Sequence, residues 1–500
     1  MHEKQLIINV NPTETRLALL EQGDMSEIFI ERCNEQGLVG NIYKGIVTRV
    51  LPGMNSAFVD IGLDKSAFLF GGDVLDAQKS ESSLSLEDHK KIEKRPIEVL
   101  VKDGQEIVVQ ISKEPLGTKG PRVTTYLTIP GRYLVLMPNF SHIGISRRIE
   151  DEAERQRLKD IVEDLIPGES GLIVRTAAVG IEENLLRRDI EDLLQSWKRL
   201  EKAISASKPP SFLYKDIDII HKVTRDLYSN DIREIVVDDQ DSYIQLGNFL
   251  QECIPEAREK LVYYQEKTPI FDVYGIEIDI GRALNNRVEL PSGGYLIIEQ
   301  TEALTSFDVN TGKFVGKVNA QQTILSTNIE AAKKIVEQLR IRNIGGIIIL
   351  DFIDMESLVD REQVYNILLE SLRCDRARTN VLKISDLGLV QMTRKRTSES
   401  LERRLLETCP HCEGRGYVKS TETEANELMR EIMRFHALTG SHKFKVKVRK
   451  EIEKWIEEKS RKFFETMASE HGIDITIENA QLNRKLLREA SFEVWNTEEL

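Results

Sequence analysis

The period of apolar and polar positions changes several times along the chain, and each change marks a candidate boundary. NIYKGIVTRVLPGMNSAFVDIGLDKSAFLF alternates and carries turns at Leu51-Pro52-Gly53 and Gly62-Leu63-Asp64, which predicts short strands. PIEVLVKDGQEIVVQISKE resumes the alternation, so 38–125 reads as a small barrel. Between them, 71–95 is a polar insertion (DAQKSESSLSLEDHKK), and 1–37 reads as strands broken at NVNPTET. From about 126 the period mixes. YLTIPGRYLVLMP and GLIVRTAAVG are strand-like, and EDEAERQRLKDIVEDLI is helical. A long helix follows, with Leu185, Leu186, Ile190, Leu193, Leu194 and Trp197 near helical spacing, ending at Lys208-Pro209-Pro210. Residues 219–283 mix strands and helices, 284–404 form an α/β unit, and 419–500 read as mainly helical and charged.

Two aspartates carry the strongest chemical signal. Asp308 lies in TSFDVNTG and Asp351 ends the apolar run of GGIIILDFIDM. The segment STNIEAAKKIVEQLRIRN between them reads as a crossover helix. Thr327 and Glu330 have capping-box spacing, and Ile329, Ala332, Ile335, Val336 and Leu339 form an apolar stripe. Strands joined by a crossover are expected to be parallel, so both carboxylates fall at one sheet edge, where α/β sheets place ligands. IIIL has the character of a fully buried strand. A carboxylate directly after it is costly to desolvate unless it is paired or binds a cation. The plain alternative is that both aspartates cap local turns. With Asn310 beside them, the pair is the constellation of a metal-dependent phosphodiesterase. Oxygen donors without a nearby histidine favour magnesium over zinc. Asp354 and Glu356 are secondary candidates.

Composition narrows the setting. A chain of 500 residues, 40% hydrophobic and 30% charged, fits a soluble protein of several domains. No run approaches twenty apolar residues, and the N-terminus lacks a signal peptide's apolar core, so a cytoplasmic location without membrane insertion is expected. The net charge of −13 argues against a nucleic-acid coat protein. Residues 373–404 nevertheless hold nine Lys/Arg against four acids, a basic stretch suited to a polyanion or simply a solvated helix face. Five cysteines, an odd number, argue against a disulfide framework; Cys33, Cys253 and Cys374 read as inert packing residues.

Cys409-Pro410-His411-Cys412, followed by Gly414-Arg415-Gly416, supplies two thiolates where zinc wants four ligands. The zinc is shared between two copies of the chain, or His411 or another residue completes it, or the pair is a redox dithiol. Sharing is favoured because a Gly-rich turn, rather than a helix start, follows the motif. On the barrel, Phe58 and Phe68 have basic neighbours Lys44, Arg49 and Lys65, with Lys113, Lys119 and Arg122 in its last turn. They fit either stacking of unpaired bases or an ordinary core. Arg175-Thr176, at the end of GLIV, reads as a surface turn able to bind phosphate.

Taken together and in order, NIYKGIVTRV, AFVDIG, YLVLMP, GISRRIE, GLIVRTAAVG, LPSGG, TEALTSFDVN, GGIIILDFIDM, DRART and CPHCEGRG resemble the bacterial ribonuclease E/G family, along nearly all 500 residues. No long disordered tail follows, which resembles the short ribonuclease G form. The resemblance implies a multidomain α/β plus β-barrel architecture. An RNase H-like domain is split between 1–37 and 219–283. An S1 (OB-fold) barrel occupies 38–125 and a 5′-sensor region 126–218. A DNase I-like catalytic subdomain spans 284–404, a zinc link 405–418, and a small helical C-terminal domain 419–500. It implies Asp308 and Asp351 as magnesium ligands and Asn310 as the residue orienting the second carboxylate. Cys409 and Cys412 are implied as zinc ligands shared between subunits. Arg175 and Thr176, with the backbone of Gly131 and Val135, match a 5′-monophosphate pocket, and Phe58, Phe68 and Lys119 match RNA-gripping positions. The polar insertion does not align.

The implied activity is magnesium-dependent endonucleolytic cleavage of single-stranded A/U-rich RNA with 5′-monophosphate ends. Products would be 5′-phosphate and 3′-hydroxyl, in rRNA maturation and mRNA decay, by a homodimer or a dimer of dimers. The competing readings are a non-catalytic RNA-binding protein and a DNA phosphodiesterase.

Overall fold

The computed structural model describes residues 3–32, 37–75, 96–114, 120–166, 170–312, 320–385, 387–396, 398–479 and 492–496. Lys119, Cys33 and most of the polar insertion lie outside them. The chain divides into two compact units, Met1–Leu401 and Glu402–Leu500.

The described residues of the first unit form four sheets. A five-stranded sheet joins distant parts of the chain: Lys4–Val10 pairs in parallel with Ile232–Val237 on one side and antiparallel with Glu14–Glu21 on the other. Leu6, Ile8, Leu17, Leu19, Ile235 and Val237 pack there with Leu246 and Leu250 of helix Gln240–Cys253. The expected barrel is present and closed. Strands Ile42–Leu51, Ser56–Asp60, Ala67–Phe70, Arg122–Thr124 and Glu106–Lys113 pair in that order, and the last returns to the first. Its interior takes alternate residues, among them Val47, Ala57, Val59, Ala67, Leu69, Val109, Ile111 and Val123. A third, four-stranded sheet contains Leu134–Met137 and Gly171–Val174, covered by helices Glu152–Leu165 and Glu183–Ala206. On the longer helix Leu186, Ile190, Leu193 and Leu200 are buried, while Leu185, expected on the apolar face, is exposed.

The fourth sheet has six strands in the order Arg287–Glu289, Tyr295–Gln300, Leu304–Asn310, Gly346–Asp351, Leu389–Arg394, Thr379–Val381. Leu304–Asn310 and Gly346–Asp351 are parallel neighbours, and helix Ala320–Ile341 crosses between them. Two details differ from the sequence reading. The helix begins well before Thr327, which is fully buried inside it and donates from Oγ1 to the Thr323 carbonyl at 2.9 Å. Glu330 accepts from the Ser292 amide instead of closing a capping box. A Thr-x-x-Glu spacing is satisfied as well by a mid-helix threonine bonding back one turn. Second, the IIIL strand is covered on one face only: Ile348 and Leu350 are buried under the helices, whereas Ile347 is 51% exposed.

The second unit has the expected helices, but among its described residues it also holds a sheet that the sequence reading did not include. Strand Lys443–Val448 is the centre of a three-stranded sheet, parallel to Asp474–Asn479 and antiparallel to Phe492–Asn496. Phe444, Val446 and Val448 alternate with lysines and pack with Ala425, Leu428 and Ile432 of helix Thr421–Thr439. The period-two pattern is real but short, and the high charge around it resembles an exposed helix.

Candidate functional site

Asp308 and Asp351 are register partners on the two parallel strands. In the first strand Thr305, Phe307 and Val309 face the core, so Ser306, Asp308 and Asn310 occupy the opposite, open face. Asp351 follows Ile347 and Ile349 on that same face. Asn310 Nδ2 donates to Asp308 Oδ2 at 2.9 Å, so the carboxylate it meets here is that of Asp308. Partial burial, then the negative charges of Asp308 and Asp354, hold the Asp351 carboxyl above the ordinary range. Neither Asp308 nor Asp351 has an ion pair among the described residues, so no described cation offsets their mutual repulsion. The loop after Asp351 is clamped from the crossover helix. Fully buried Asn328 donates to the Ile353 carbonyl at 2.8 Å and accepts from the Ile353 amide at 3.0 Å. Asp354 therefore stays near the pair, while Glu356 is exposed further along.

This donor set fits a hard divalent cation. Two carboxylates and a neighbouring amide leave most positions of an octahedral ion to water and phosphate, which is how magnesium is usually held. Among the described residues no group of three His, Cys, Asp or Glu side chains is arranged to cage a metal.

A second constellation lies at one end of the four-stranded sheet. Arg175, just after strand Gly171–Val174, donates from Nη1 to the Gly131 carbonyl at 2.7 Å and from Nη2 to Asp226 Oδ1 at 2.6 Å. Thr176 Oγ1 lies 3.0 Å from Ser146 Oγ. Val135 is the register partner of Pro130 and Ile173, so these segments are adjacent. Asp189 of the long helix braces the turn before Val135, accepting from the amides of Arg132, Tyr133 and Leu134 at 3.1, 2.9 and 2.9 Å. A Cβ on Gly131 would fall 2.6 Å from Asp189 Oδ1, so any larger residue would have to displace the carboxylate that braces this turn. Burial pushes the Asp189 carboxyl up against the pull of those amides. Asp189 and Asp226 were not foreseen. They are 58 and 95 residues from Gly131, and no local pattern marks them.

On the barrel, Phe58 and Phe68 are register partners with ring centroids 6.1 Å apart at 71°. Their neighbours Ala57, Val59, Ala67 and Leu69 fill the interior, so both rings are on the outer face and the ordinary-core alternative falls away. Register continues the row to Arg49 on one side and to Arg122 and Lys113 on the other. Arg122 is also ion-paired with Asp73 at 2.7 Å.

The basic stretch at 373–404 is partly internal. Arg394 pairs with Asp375 at 2.6 Å with 5% and 1% of the two side chains exposed, and Arg396 donates to the Gly345 carbonyl at 2.9 Å. The Arg394 guanidinium holds the fold and is not available as a patch, whereas Arg396 stays exposed.

In the second unit, exposed Cys409 and half-buried Cys412 are free thiols in a tight turn. The amides of Glu413 and Arg415 donate to the carbonyls of Cys409 and Cys412, both at 2.8 Å, and Glu413, Gly414 and Gly416 have φ of 51°, 81° and 76°. The amides of Cys412 and then His411 lower the Cys409 thiol pKa, which favours the thiolate a metal needs. Cys253 and Cys374 are exposed rather than packed inside. Cys253 is exposed as a residue, yet partial desolvation of its sulfur, then nearby acids, push the thiol up to about 11.

The model of the Ribonuclease E/G family matches residues 128–397, and that of the RNase E/G, Thioredoxin-like domain matches 408–490. Ribonuclease G of Haemophilus influenzae is 49% identical over 446 residues, covering 89% of this chain and 90% of that protein. Ribonuclease G of Escherichia coli (strain K12) is 48% identical over 442 residues, covering 88% and 90%. Ribonuclease E of Nostoc sp. is 38% identical over 404 residues, covering 80% of this chain and 57% of that protein. The chain belongs to the ribonuclease E/G family.

Proposed function

We propose that this chain, an endoribonuclease by its family, cleaves single-stranded A/U-rich RNA at the Asp308–Asp351 pair with magnesium. The carrying observation is that two carboxylates share one register position on an open sheet face with no compensating cation among the described residues. When bound there, magnesium supplies a more acidic water and positive charge at the scissile phosphate. Asp308 and Asp351 hold that position, and Asn310 keeps Asp308 in one orientation. In-line attack of water then leaves a 5′-phosphate and a 3′-hydroxyl.

The remaining surfaces support the same reading. The outward pair Phe58 and Phe68, flanked by Arg49, Arg122 and Lys113, suits stacking of unpaired bases, so the barrel is read as an S1 domain with Lys119 as a further contact. Arg175 and Thr176, beside Gly131 and Val135, form the proposed 5′-monophosphate pocket in a sensor region. Around them, the split five-stranded sheet corresponds to an RNase H-like domain and the six-stranded sheet to a DNase I-like subdomain. Cys409 and Cys412 would supply half of a zinc site completed by a second chain, giving a homodimer or a dimer of dimers. The work assigned is rRNA maturation, including the 5′ end of 16S rRNA, and mRNA decay in the cytoplasm. No described helix is long and apolar enough to cross a membrane.

The deciding experiment incubates a 5′-monophosphorylated single-stranded RNA, and its 2′-deoxy counterpart, with and without magnesium and maps the ends. Cleavage of the RNA alone, dependent on magnesium and leaving 5′-phosphates, is expected. Binding without cleavage would establish the non-catalytic reading, and cleavage of the deoxy strand a DNA phosphodiesterase.

A further inference from the structure

Asp226, at the end of helix Ile219–Leu227, joins the 5′ pocket to the rest of the first unit. Its Oδ1 accepts from Arg175 Nη2 at 2.6 Å and from Arg225 Nε at 2.9 Å. Arg225 is buried and donates from Nη1 to the carbonyl of Pro130, next to Gly131, at 2.9 Å. Arg376 donates to the Asp226 backbone carbonyl at 3.3 Å. One carboxylate oxygen thus fixes the guanidinium proposed to meet the RNA end, and a neighbouring arginine from the same helix fixes the turn beside it. The second oxygen, Oδ2, has no hydrogen-bond partner among the described residues, and 34% of the side chain is open to solvent. Burial raises the carboxyl's pKa, but the charges of Arg225 and Arg175 outweigh it, so the group is ionised at neutral pH.

We propose that Asp226 is a specificity-determining residue that limits how much negative charge the pocket accepts, admitting a 5′-monophosphate and repelling a 5′-triphosphate. The proposal rests on the reading of Arg175 as the 5′-phosphate contact. A terminal monophosphate carries about −1.5 to −2 charges, and a triphosphate roughly twice that. Arg175 and Arg225 offer two positive charges, and Asp226 removes one of them within hydrogen-bond distance of the phosphate-binding guanidinium. The surplus charge of a triphosphate then meets a fixed carboxylate. Exclusion becomes electrostatic, and not a matter of bulk alone.

Asp226→Asn separates charge from position, because its amide oxygen can still accept from Arg175, whereas Asp226→Ala removes both. RNAs of one sequence carrying 5′-monophosphate, 5′-triphosphate or 5′-hydroxyl ends are cleaved by wild type, Asp226→Asn, Asp226→Ala and Arg175→Gln. In Asp226→Asn the triphosphate-to-hydroxyl rate ratio should rise about tenfold, the size of one partly screened charge interaction. The monophosphate advantage should persist there and fall in Asp226→Ala. An unchanged triphosphate ratio in Asp226→Asn overturns the proposal, as does loss of the monophosphate advantage without gain on triphosphate, which would make Asp226 only a positioning residue. If Arg175→Gln keeps the monophosphate advantage, the pocket reading itself fails, a distinct result. Wild type gives an independent measure should the variants misfold. Rising salt should relieve the triphosphate penalty relative to hydroxyl, and a salt-insensitive penalty would mean steric exclusion.

Discussion

The aspartate pair and the arginine pocket occupy the same unit and handle charge in opposite ways. Asp308 and Asp351 share one register position with no counter-charge among the described residues, and the ionisation of Asp351 is made harder by partial burial and then by its acidic neighbours. Arg175 is the reverse, with its guanidinium already engaged by the Gly131 carbonyl and Asp226. A site left unbalanced depends on its ligand for the missing charge. A site balanced in advance depends on its ligand far less and can afford to discriminate. The first arrangement suits the chemical step and the second suits selection.

The largest expected effect breaks the unbalanced side. Asp308→Asn or Asp351→Asn should cut cleavage by at least about a thousandfold, while RNA binding persists in a mobility-shift assay. Near wild-type cleavage by either variant would end the metal assignment. Next comes a balanced pair deeper inside. Asp375→Asn strands Arg394 and should destabilise the fold by about 3 kcal/mol or more in chemical denaturation, because a lone buried charge is costly. If stability is unchanged, these charges are solvated and the contrast between internal and functional arginines is lost.

The barrel row should give intermediate effects. Phe58→Ala or Phe68→Ala is expected to weaken single-stranded RNA binding by about 1–3 kcal/mol per stacked base, read by fluorescence anisotropy. Equal affinity would return these rings to a packing role. Arg175→Gln should lose about 1.5 kcal/mol of preference for a 5′-monophosphate, roughly tenfold, in competition between RNAs with different ends. The smallest effect concerns stability. The Asp351 carboxyl titrates above its usual value in the folded chain, so its ionised form opposes folding at neutral pH. Without divalent cations, Asp351→Asn should therefore melt higher than wild type at pH 7. That gain should fade as pH falls through the raised value and vanish below the ordinary 3.8. A lower melting temperature at neutral pH would contradict the repulsion.

Local patterns carried much of this, and their failures have physical causes. The barrel strands were legible because alternation and turn residues repeat over short distances. The crossover between the aspartates was legible because an apolar stripe at helical spacing stands between two strand-like runs. Thr327 misled because a capping box and a back-bonded mid-helix threonine look alike in one dimension. The Lys443–Val448 strand was missed because its lysines carry the charge density of an exposed helix. Arg394 reads as part of a basic surface because nothing near it in the chain announces its buried partner Asp375.

The sequence by itself determined the kinds of chemistry available: paired carboxylates, a cysteine pair before a glycine turn, and aromatics among basic residues. Their order along the chain is also the signature of the ribonuclease E/G family. Only the tertiary structure decided which charges stand alone and which are matched. Asp308 meets Asp351 through strand register, and Phe58 faces outward because Ala57 and Val59 fill the barrel. Arg175 meets Asp226 across 51 residues of chain. Coulomb interactions and burial depend on distance in space, and sequence separation carries almost no information about that distance.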